Sequence, residues 1–239
     1  MLIPQLTFTR FVAATIIIFF HFAAYNHVWP FDVAEFQWFT TIVKGGNLPV
    51  LYFFLLSGFI LTINYPKDNP QVRLSDFYWR RFTRIYPIYF VSFLISLLFV
   101  ANISFLYFIL NLVLLNGWYW DSNILNPAAW SLSSEVFFYA VYPFLLMGIA
   151  RLKIGPLLAL AGVHILLLYL IQLPYGDFHF HHILPPPVET VLNFSLGVIA
   201  GRIYVIQYPF FDRNRAWLSF LFLPAIALLG ILILGLGYT

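Results

Sequence analysis

The sequence predicts an all-α bundle of transmembrane helices, and three observations indicate this fold class: its composition, the length of its apolar segments and the positions of its basic residues. Of the 239 residues, 62% are hydrophobic and only 9% are charged, and the mean hydropathy is +0.88. A soluble protein of this length could not bury so much apolar surface. We therefore predict an integral membrane protein whose immediate environment is a lipid bilayer.

Seven apolar segments are long enough to cross a hydrocarbon layer of about 30 Å, which takes about 20 helical residues. An eighth, residues 103–117, is shorter, and we interpret it as a short or re-entrant segment. In the second long segment, Gly58 is predicted to allow close packing against another helix. The sequence thus predicts one membrane domain over residues 1–239. Its predicted spans are residues 8–26, 47–65, 85–102, 134–150, 154–173, 188–207 and 217–237.

The positions of Lys and Arg distinguish two topologies for the short segment, because cytoplasmic loops of membrane proteins are enriched in these residues. If residues 103–117 do not cross, a cytoplasmic N-terminus places every Lys and Arg except Lys44 on the cytoplasmic side. If they do cross, the later spans invert and the basic residues divide evenly between the two sides. We therefore predict the first topology, in the plasma (inner) membrane with a cytoplasmic N-terminus.

Composition and motif spacing exclude several classes of function. The chain contains no cysteine, so disulfides, thiolate metal sites and a cysteine acyl-enzyme are excluded. The basic residues flank apolar runs rather than forming a soluble basic face, so no nucleic-acid partner is expected. The histidines within residues 179–182 lack helical ligand spacing and a nearby carboxylate cluster, so we predict an exposed loop there and no metal site.

The first apolar segment contains two ionisable side chains, Arg10 and His21. They are eleven positions apart, which is three helical turns plus about 20°, so both project from one face about 16 Å apart along the axis. Arg10 is close enough to the predicted membrane boundary to extend its side chain to water, whereas His21 is not. An ionisable residue at that depth indicates a functional site. The structural alternative is a neutral histidine hydrogen-bonded to a neighbouring helix.

The segment FYWRRFTRIYP, residues 77–87, places three arginines at the predicted cytoplasmic entrance of the third span. Arg81 and Arg84 are three positions apart and Arg80 and Arg84 are four apart, so their side chains lie close together on a helix. Guanidinium groups bind phosphates through paired hydrogen bonds, and aromatic rings beside them can stack on a base. The alternative interpretation is membrane anchoring by basic and aromatic residues at the cytoplasmic boundary.

Glu135 follows Trp130 and Ser131 at the predicted start of the fourth span, on the side opposite to the arginines. Ser131 or Ser133 is expected to cap this helix, and a carboxylate in its first turn is favoured by the helix dipole. Capping accounts neither for Trp130 nor for a carboxylate at the membrane boundary. Glu135 is therefore also a candidate for orienting a catalytic base or binding an acceptor hydroxyl.

Together these motifs resemble the acyltransferase 3 family, integral-membrane O-acyltransferases that modify cell-surface glycans and some secreted small molecules. Each motif alone is weak, but their order and membrane placement together are specific. The matching residues extend over most of the chain: Arg10 and His21, Ser57-Gly58-Phe59, Arg81 and Arg84 with Ile85-Tyr86-Pro87, Trp130-Ser131-Leu132 with Glu135, Pro185-Pro186-Pro187, Phe194 and Gly197.

The resemblance implies acyl-CoA, commonly acetyl-CoA, as a co-substrate that enters from the cytoplasm, and no tightly bound cofactor. Arg81 and Arg84 would hold the phosphates of the CoA nucleotide with Arg80 as a helper, and Arg10 would lie along the pantetheine arm. The acceptor is implied to be a hydroxyl of a carbohydrate or a lipid-linked glycan. The family commonly has more helices than are counted here, so C-terminal helices are expected to be missing from this chain or dispensable.

In the mechanism that the resemblance implies, His21 is the general base that takes a proton from the acceptor hydroxyl as its oxygen attacks the thioester carbonyl. This role requires an unprotonated imidazole, and an acyl-histidine intermediate remains an alternative. Trp130 and Ser131 lie on the acceptor side. The candidate donors to the developing oxyanion are Arg10, Ser57 and a backbone amide near Ser131.

A transporter or flippase without acyl-transfer chemistry is the competing class of function. In such a protein Arg10, His21 and Glu135 would line a substrate or proton path. That class is expected to have paired, broken helices in two related halves, and the sequence contains no such symmetry. The sequence does not indicate an oligomeric state.

Overall fold

A computed structural model of the protein describes residues 4–24, 47–64, 73–119, 122, 125–172 and 184–213. Within these ranges the chain forms helices and turns and no β-strand, which confirms the all-α prediction. Two short 3₁₀ turns, Asn116–Trp118 and Pro127–Ala129, lie between longer elements. The helices are α1 (Pro4–Ala24), α2 (Asn47–Ile63), α3 (Leu74–Leu97), α4 (Phe105–Leu112), α5 (Trp130–Ile149), α6 (Ile154–Gln172), α7 (Pro186–Ile206) and α8 (Tyr208–Arg213).

Each predicted span within the described ranges overlaps one long helix: α1, α2, α3, α5, α6 or α7. Three described stretches are both long and apolar enough to cross a membrane: Pro127–Ile149, Ile154–Ile171 and Pro186–Ile206. The apolar helical stretches Leu6–His21 and Leu48–Ile63 are shorter, so the count of seven full spans is not confirmed. The predicted span at residues 217–237 and the histidine-containing residues 179–182 lie outside the described part of the chain.

The third helix is longer than the predicted third span. α3 begins at Leu74, whereas that span begins at residue 85. The additional turns contain Asp76, whose carboxylate is favoured by the positive end of the helix dipole, and the three arginines, which are good helix formers. Hydropathy locates only the apolar part of a helix. The arginines are therefore inside α3 rather than at its entrance.

The backbones of α2 and α7 approach each other closely at three glycines. A Cβ atom added to Gly58 would lie 2.2 Å from the carbonyl oxygen of Phe194, and one added to Gly197 would lie 1.9 Å from that of Leu55. Gly201 meets α2 in the same way one turn later. Residues without side chains allow helices in a membrane protein to come this close. The predicted role of Gly58 in helix packing is confirmed.

The directions of α3 and α5 decide between the two topologies of residues 103–117. The rings of Phe77 and Tyr142, near the start of α3 and late in α5, stack with their centroids 5.4 Å apart. Near the other end, the Asn126 amide, just before α5, donates a hydrogen bond to the Ser92 hydroxyl, 3.2 Å away. The two helices are therefore antiparallel. This arrangement requires a segment 103–117 that does not cross the membrane.

The segment between α3 and α5 is short and turns back on itself. α4 has eight residues, about 12 Å of helix, which is too short to cross a 30 Å layer. Leu114 follows with φ of 58°, in the left-handed region. The side-chain amide of buried Asn111 donates to the carbonyl oxygens of Tyr107 and Ser122, at 2.8 and 2.7 Å. Backbone groups of this non-crossing segment are thus paired within the protein, as a membrane environment requires.

Basic residues gather at one end of the bundle. α5 runs parallel to α7, because Phe138 stacks on Phe194 and the Arg202 guanidinium donates to the carbonyl oxygen of Ala150 further along both helices. The start of α3 and the ends of α5 and α7 therefore lie together. This agrees with the clustering that charge counting predicts. The basic residues at this end are Arg73, Arg151, Lys153, Arg202 and Arg213.

α1 differs from the prediction in the way it meets α2. The hydroxyl oxygens of Thr9 and Tyr52, near the beginning of each helix, lie 2.5 Å apart. Alternating spans would place these two beginnings on opposite sides of the membrane, so the predicted topology is not reproduced for α1. Helical spacing defines which face of α1 is polar, but it does not specify which end of α1 contacts α2. Arg10 consequently lies close to Tyr52.

We expect Gly197→Ala to destabilise the detergent-solubilised protein, because the added Cβ would lie 1.9 Å from the Leu55 carbonyl oxygen. Overpacking of this kind costs about 1–3 kcal/mol, which lowers the midpoint of thermal unfolding by several degrees. Gly162→Ala in α6 is the matched control, because nothing lies within 4 Å of its added Cβ. Equal midpoints for the two variants would contradict the close α2–α7 contact.

We expect single cysteines at the exposed positions Ala101 and Lys153 to react with a membrane-impermeant thiol reagent from opposite sides of the membrane. Residue 101 follows the end of α3, whereas residue 153 follows the end of the antiparallel α5. The chain has no native cysteine, so labelling of intact and inverted vesicles identifies each side directly. Labelling of both positions from the same side would show that residues 103–117 cross.

Candidate active site

A cavity of about 470 Å³ lies between α1, α2, α3 and α5. This volume is within the usual range for small-molecule and cofactor sites. The cavity brings together residues that are far apart in the chain and that the sequence singles out as candidates. Those lining it are Arg10, His21, Arg81, Arg84, Trp130, Ser131 and Glu135. Of the predicted site residues, Arg80 alone is not in its lining.

α1 presents one face to the cavity, as the spacing of Arg10 and His21 predicts. Ile17 lines the cavity between them, and the three positions repeat on one side of an α-helix. The half-buried imidazole of His21 contacts the ring of Phe20 edge-on, with centroids 5.4 Å apart. Within the described ranges, no hydrogen bond to a neighbouring helix holds this imidazole. The structural alternative for His21 therefore has no support in the described contacts.

Arg81 is held between two aromatic rings. Its guanidinium carbon lies 5.5 Å from the ring centroid of Phe77 and 5.5 Å from that of Tyr139. Each cation–π contact contributes about 0.5–1 kcal/mol at an exposed site and more when water is excluded. The buried Nε of Arg81 has no hydrogen-bond partner in the structure. The two aromatic rings thus fix the Arg81 guanidinium, while its Nε–H remains without a hydrogen-bond acceptor.

The arginine cluster divides between the cavity and the outside of α3. Arg84, one turn beyond Arg81, lines the cavity, whereas Arg80 does not, although both side chains are exposed. Because Phe77 contacts Tyr142 and Arg81 contacts Tyr139, the cavity arginines lie beside the middle of α5. Their predicted position at the cytoplasmic entrance of the third span stays a prediction. Because both Arg81 and Arg84 line the cavity, membrane anchoring alone does not account for them.

The start of α5 differs from the capping scheme that the sequence suggests. α5 begins at Trp130, its N-cap is Ala129, and no side chain caps it. The Ser131 hydroxyl donates to the carbonyl oxygen of Ala128, and Ser133 Oγ is buried without a hydrogen-bond partner. Glu135 consequently lies in the second turn, outside the range in which the helix dipole favours an acid. Neither capping nor the dipole explains a carboxylate at Glu135.

Tyr139 also lines the cavity, although no sequence motif singles it out. Its hydroxyl donates a hydrogen bond to Glu135 Oε1 one turn earlier, and the Ser57 side chain is a further partner of the same hydroxyl. Its ring is one of the two that hold Arg81. The only sequence signal is the four-residue spacing between Glu135 and Tyr139, which places both on one face of α5.

The charges that face the cavity are predominantly positive. Among the residues that the structure describes, three arginines and one carboxylate line it, and Glu135 is hydrogen-bonded to Tyr139 instead of forming an ion pair with an arginine. Arginines without carboxylate partners in a partly enclosed site favour an anionic ligand with several acceptor oxygens. The same lining contains the imidazole of His21.

Comparison with known proteins identifies related acyltransferases. A family model described as "Acyltransferase domain" (Acyl_transf_3) matches residues 3–239. The chain is 30% identical over 153 residues to "Acyltransferase MdmB" of Streptomyces mycarofaciens, which covers 59% of this chain and 38% of that protein. It is 26% identical over 212 residues to "Putative acetyltransferase ORF330" of Acidianus two-tailed virus, which covers 84% of this chain and 59% of that protein. The matched part is less than two thirds of the length of each relative. No solved structure matches the chain.

We expect Ser133→Ala to leave stability unchanged or slightly higher, because it removes a buried hydroxyl that has no partner. Asn126→Ala is the contrasting variant, because the Asn126 side chain accepts a hydrogen bond from the backbone N–H of Ala128 and caps the turn before α5. Loss of a cap costs about 1 kcal/mol. Thermal unfolding of both variants measures the difference. Destabilisation by Ser133→Ala alone would show that Ser133, rather than Asn126, stabilises the start of α5.

Proposed function

Because the chain belongs to the Acyl_transf_3 family of acyltransferase domains, we propose that it is a membrane O-acyltransferase. It moves an acyl group, in our proposal acetyl, from cytoplasmic acyl-CoA to a hydroxyl of a carbohydrate or a lipid-linked glycan. The names of the two relatives compared above, an acyltransferase and a putative acetyltransferase, support the reaction class. The donor, the acceptor and the base are part of the proposal.

The observation that carries this proposal is the composition of the cavity lining. CoA has several phosphate groups and a long, mainly neutral arm, so its site needs localised positive charge beside a passage that accepts a thioester. Arg81 and Arg84 supply charge on α3 without carboxylate partners among the described residues. His21 on α1 lines the same cavity and supplies a group that can accept a proton. Phosphate binding and proton transfer thus have candidate residues in one continuous space.

In the proposed reaction, the unprotonated His21 imidazole takes the proton from the acceptor hydroxyl as its oxygen attacks the thioester carbonyl. The carbon–sulfur bond then breaks, the CoA thiolate leaves, and the proton held by His21 neutralises it. General-base catalysis of this kind contributes about 10² to 10⁴-fold to the rate. Arg10 and Ser57 also line the cavity and are candidates for stabilising the oxyanion. Trp130 and Ser131 form the part of the lining that we assign to the acceptor.

We further propose that the protein resides in the plasma (inner) membrane with its basic end in the cytoplasm. The gathering of Arg73, Arg151, Lys153 and Arg202 at one end of the bundle supports this orientation. The donor then enters from the basic end, and the acceptor meets Trp130 and Ser131 from the other end, where α5 begins. A cytoplasmic N-terminus rests on charge distribution alone, and it is opposed by the contact of Thr9 with Tyr52, which places the beginning of α1 beside that of α2.

The test is transfer of labelled acetyl from acetyl-CoA to an envelope glycan fraction by the purified protein. We expect His21→Gln to reduce kcat by about 10² to 10⁴-fold, the contribution of a general base, with little change in donor binding. Arg84→Gln is expected to raise the donor KM about tenfold or more, because a charge-assisted phosphate contact is lost. Arg80→Gln removes the same charge from the same helix without altering the cavity lining, so it is expected to have little effect on KM.

Two outcomes would contradict the proposal. Transfer that is unaffected by His21→Gln would exclude His21 as base or nucleophile. Absence of both CoA binding and transfer in the wild-type protein would favour the transporter alternative, which needs neither. If Arg80→Gln raised the KM as much as Arg84→Gln, the donor phosphates would bind on the outer side of α3 instead of in the cavity.

A further inference from the structure

Tyr139 contacts both the acidic and the basic side chains of the cavity. It is almost fully buried, with 4% of its surface exposed. Its hydroxyl donates to Glu135, and its ring lies 5.5 Å from the guanidinium carbon of Arg81. Phe77, which packs edge-on against the Tyr139 ring with centroids 6.3 Å apart, contacts the same guanidinium. One side chain therefore restrains a carboxylate and an arginine through two different chemical groups.

These contacts separate charges that would otherwise attract each other. Glu135 on α5 and Arg84 on α3 line one cavity, and α3 and α5 are adjacent helices. In a partly enclosed site, a free carboxylate and a free guanidinium would form an ion pair. In the structure, the carboxylate is instead bonded within its own helix to Tyr139. The hydroxyl of Tyr139 thus takes one acceptor site of the carboxylate and directs it along α5.

We propose that Tyr139 is a positioning residue that keeps Glu135 from pairing with the cavity arginines and thereby keeps Arg84 available to anionic groups. The ring fixes Arg81, and the hydroxyl fixes Glu135. The inference rests on the proposed function in one respect: the anion is the phosphate-bearing donor. The separation of charges itself does not depend on that assignment.

The two roles of the side chain can be tested separately. Tyr139→Phe keeps the ring that contacts Arg81 and removes the hydroxyl that holds Glu135. Tyr78→Phe is the matched control, because it removes a tyrosine hydroxyl from the same α3–α5 interface. That hydroxyl donates to the Ala140 carbonyl oxygen, 3.2 Å away, and not to a cavity carboxylate.

The first measurement is the rate at which phenylglyoxal, an arginine-specific reagent, modifies Arg84 in the purified protein, measured by peptide mass spectrometry. Modification of Arg80, which is exposed on the same helix and outside the cavity, is the internal reference. We expect Tyr139→Phe to lower the Arg84:Arg80 rate ratio roughly three- to tenfold, because the released carboxylate pairs with Arg84. The double variant Tyr139→Phe with Glu135→Gln should restore the wild-type ratio, since a neutral amide does not form the ion pair. Tyr78→Phe should leave the ratio unchanged.

The second measurement is equilibrium binding of adenosine 3′,5′-bisphosphate, the phosphate-bearing end of CoA, to the same proteins. Tyr139→Phe should weaken binding roughly three- to tenfold, and the added Glu135→Gln should restore it. A purely structural role for Tyr139 would predict weaker binding without this rescue. Loss of binding in Tyr139→Phe that Glu135→Gln does not restore would therefore overturn the inference.

The outcomes distinguish this inference from the proposed function. If the wild-type protein transfers acetyl but Tyr139→Phe leaves the Arg84:Arg80 ratio unchanged, the positioning role is wrong and the proposed function stands. If Tyr139→Phe protects Arg84 and Glu135→Gln restores its reactivity, the charge separation is established even where acetyl transfer and bisphosphate binding are absent. In that case the proposed function is wrong, and the positioning role of Tyr139 stands.

Discussion

The near contact of the α2 and α7 backbones is the constraint on which the rest of the bundle depends. Gly58, Gly197 and Gly201 allow the two helices to approach until carbonyl oxygens occupy the space of a side chain. This approach brings Phe54 of α2 and Phe194 of α7 against Phe138 of α5, at ring separations of 4.9 and 4.8 Å. In a bilayer, packing of this kind replaces the hydrophobic effect as the force between helices, because lipid tails are as apolar as the side chains.

The same aromatic core sets the position of the cavity. Phe138 and Tyr139 are adjacent in α5, so packing of one ring into the core directs the next one toward α3 and the cavity. There Tyr139 and Phe77 hold Arg81 from two sides. A guanidinium inside a membrane protein is costly unless it is solvated or paired, and here aromatic faces provide part of the compensation while its Nε stays unused. The cavity thus combines a rigid apolar wall with cationic groups that remain open to a ligand.

Much of this arrangement follows from the sequence. The parts that do not follow from it have identifiable physical causes. The eleven-residue spacing of Arg10 and His21 places both on one helical face, and both line the cavity. The antiparallel arrangement of α3 and α5 agrees with the prediction from charge counting that residues 103–117 do not cross the membrane. The start of α3 was missed, since hydropathy ignores a helix that begins with Asp76 and arginines. Within this longer helix, Arg81 and Arg84 line the cavity, and Arg81 contacts Tyr139 in α5.

The sequence by itself determined the membrane environment, the all-helical fold class, the faces of the helices and the family. These properties depend on composition and on local backbone hydrogen bonding, which repeat along the chain and are visible in it. Only the tertiary structure decided that Thr9 meets Tyr52, that Arg80 lies outside the cavity and that Tyr139 links Glu135 to Arg81. These depend on the rotation and depth of each helix relative to its neighbours. Side chains from segments far apart in the chain set that rotation and depth through packing, so no local pattern encodes them.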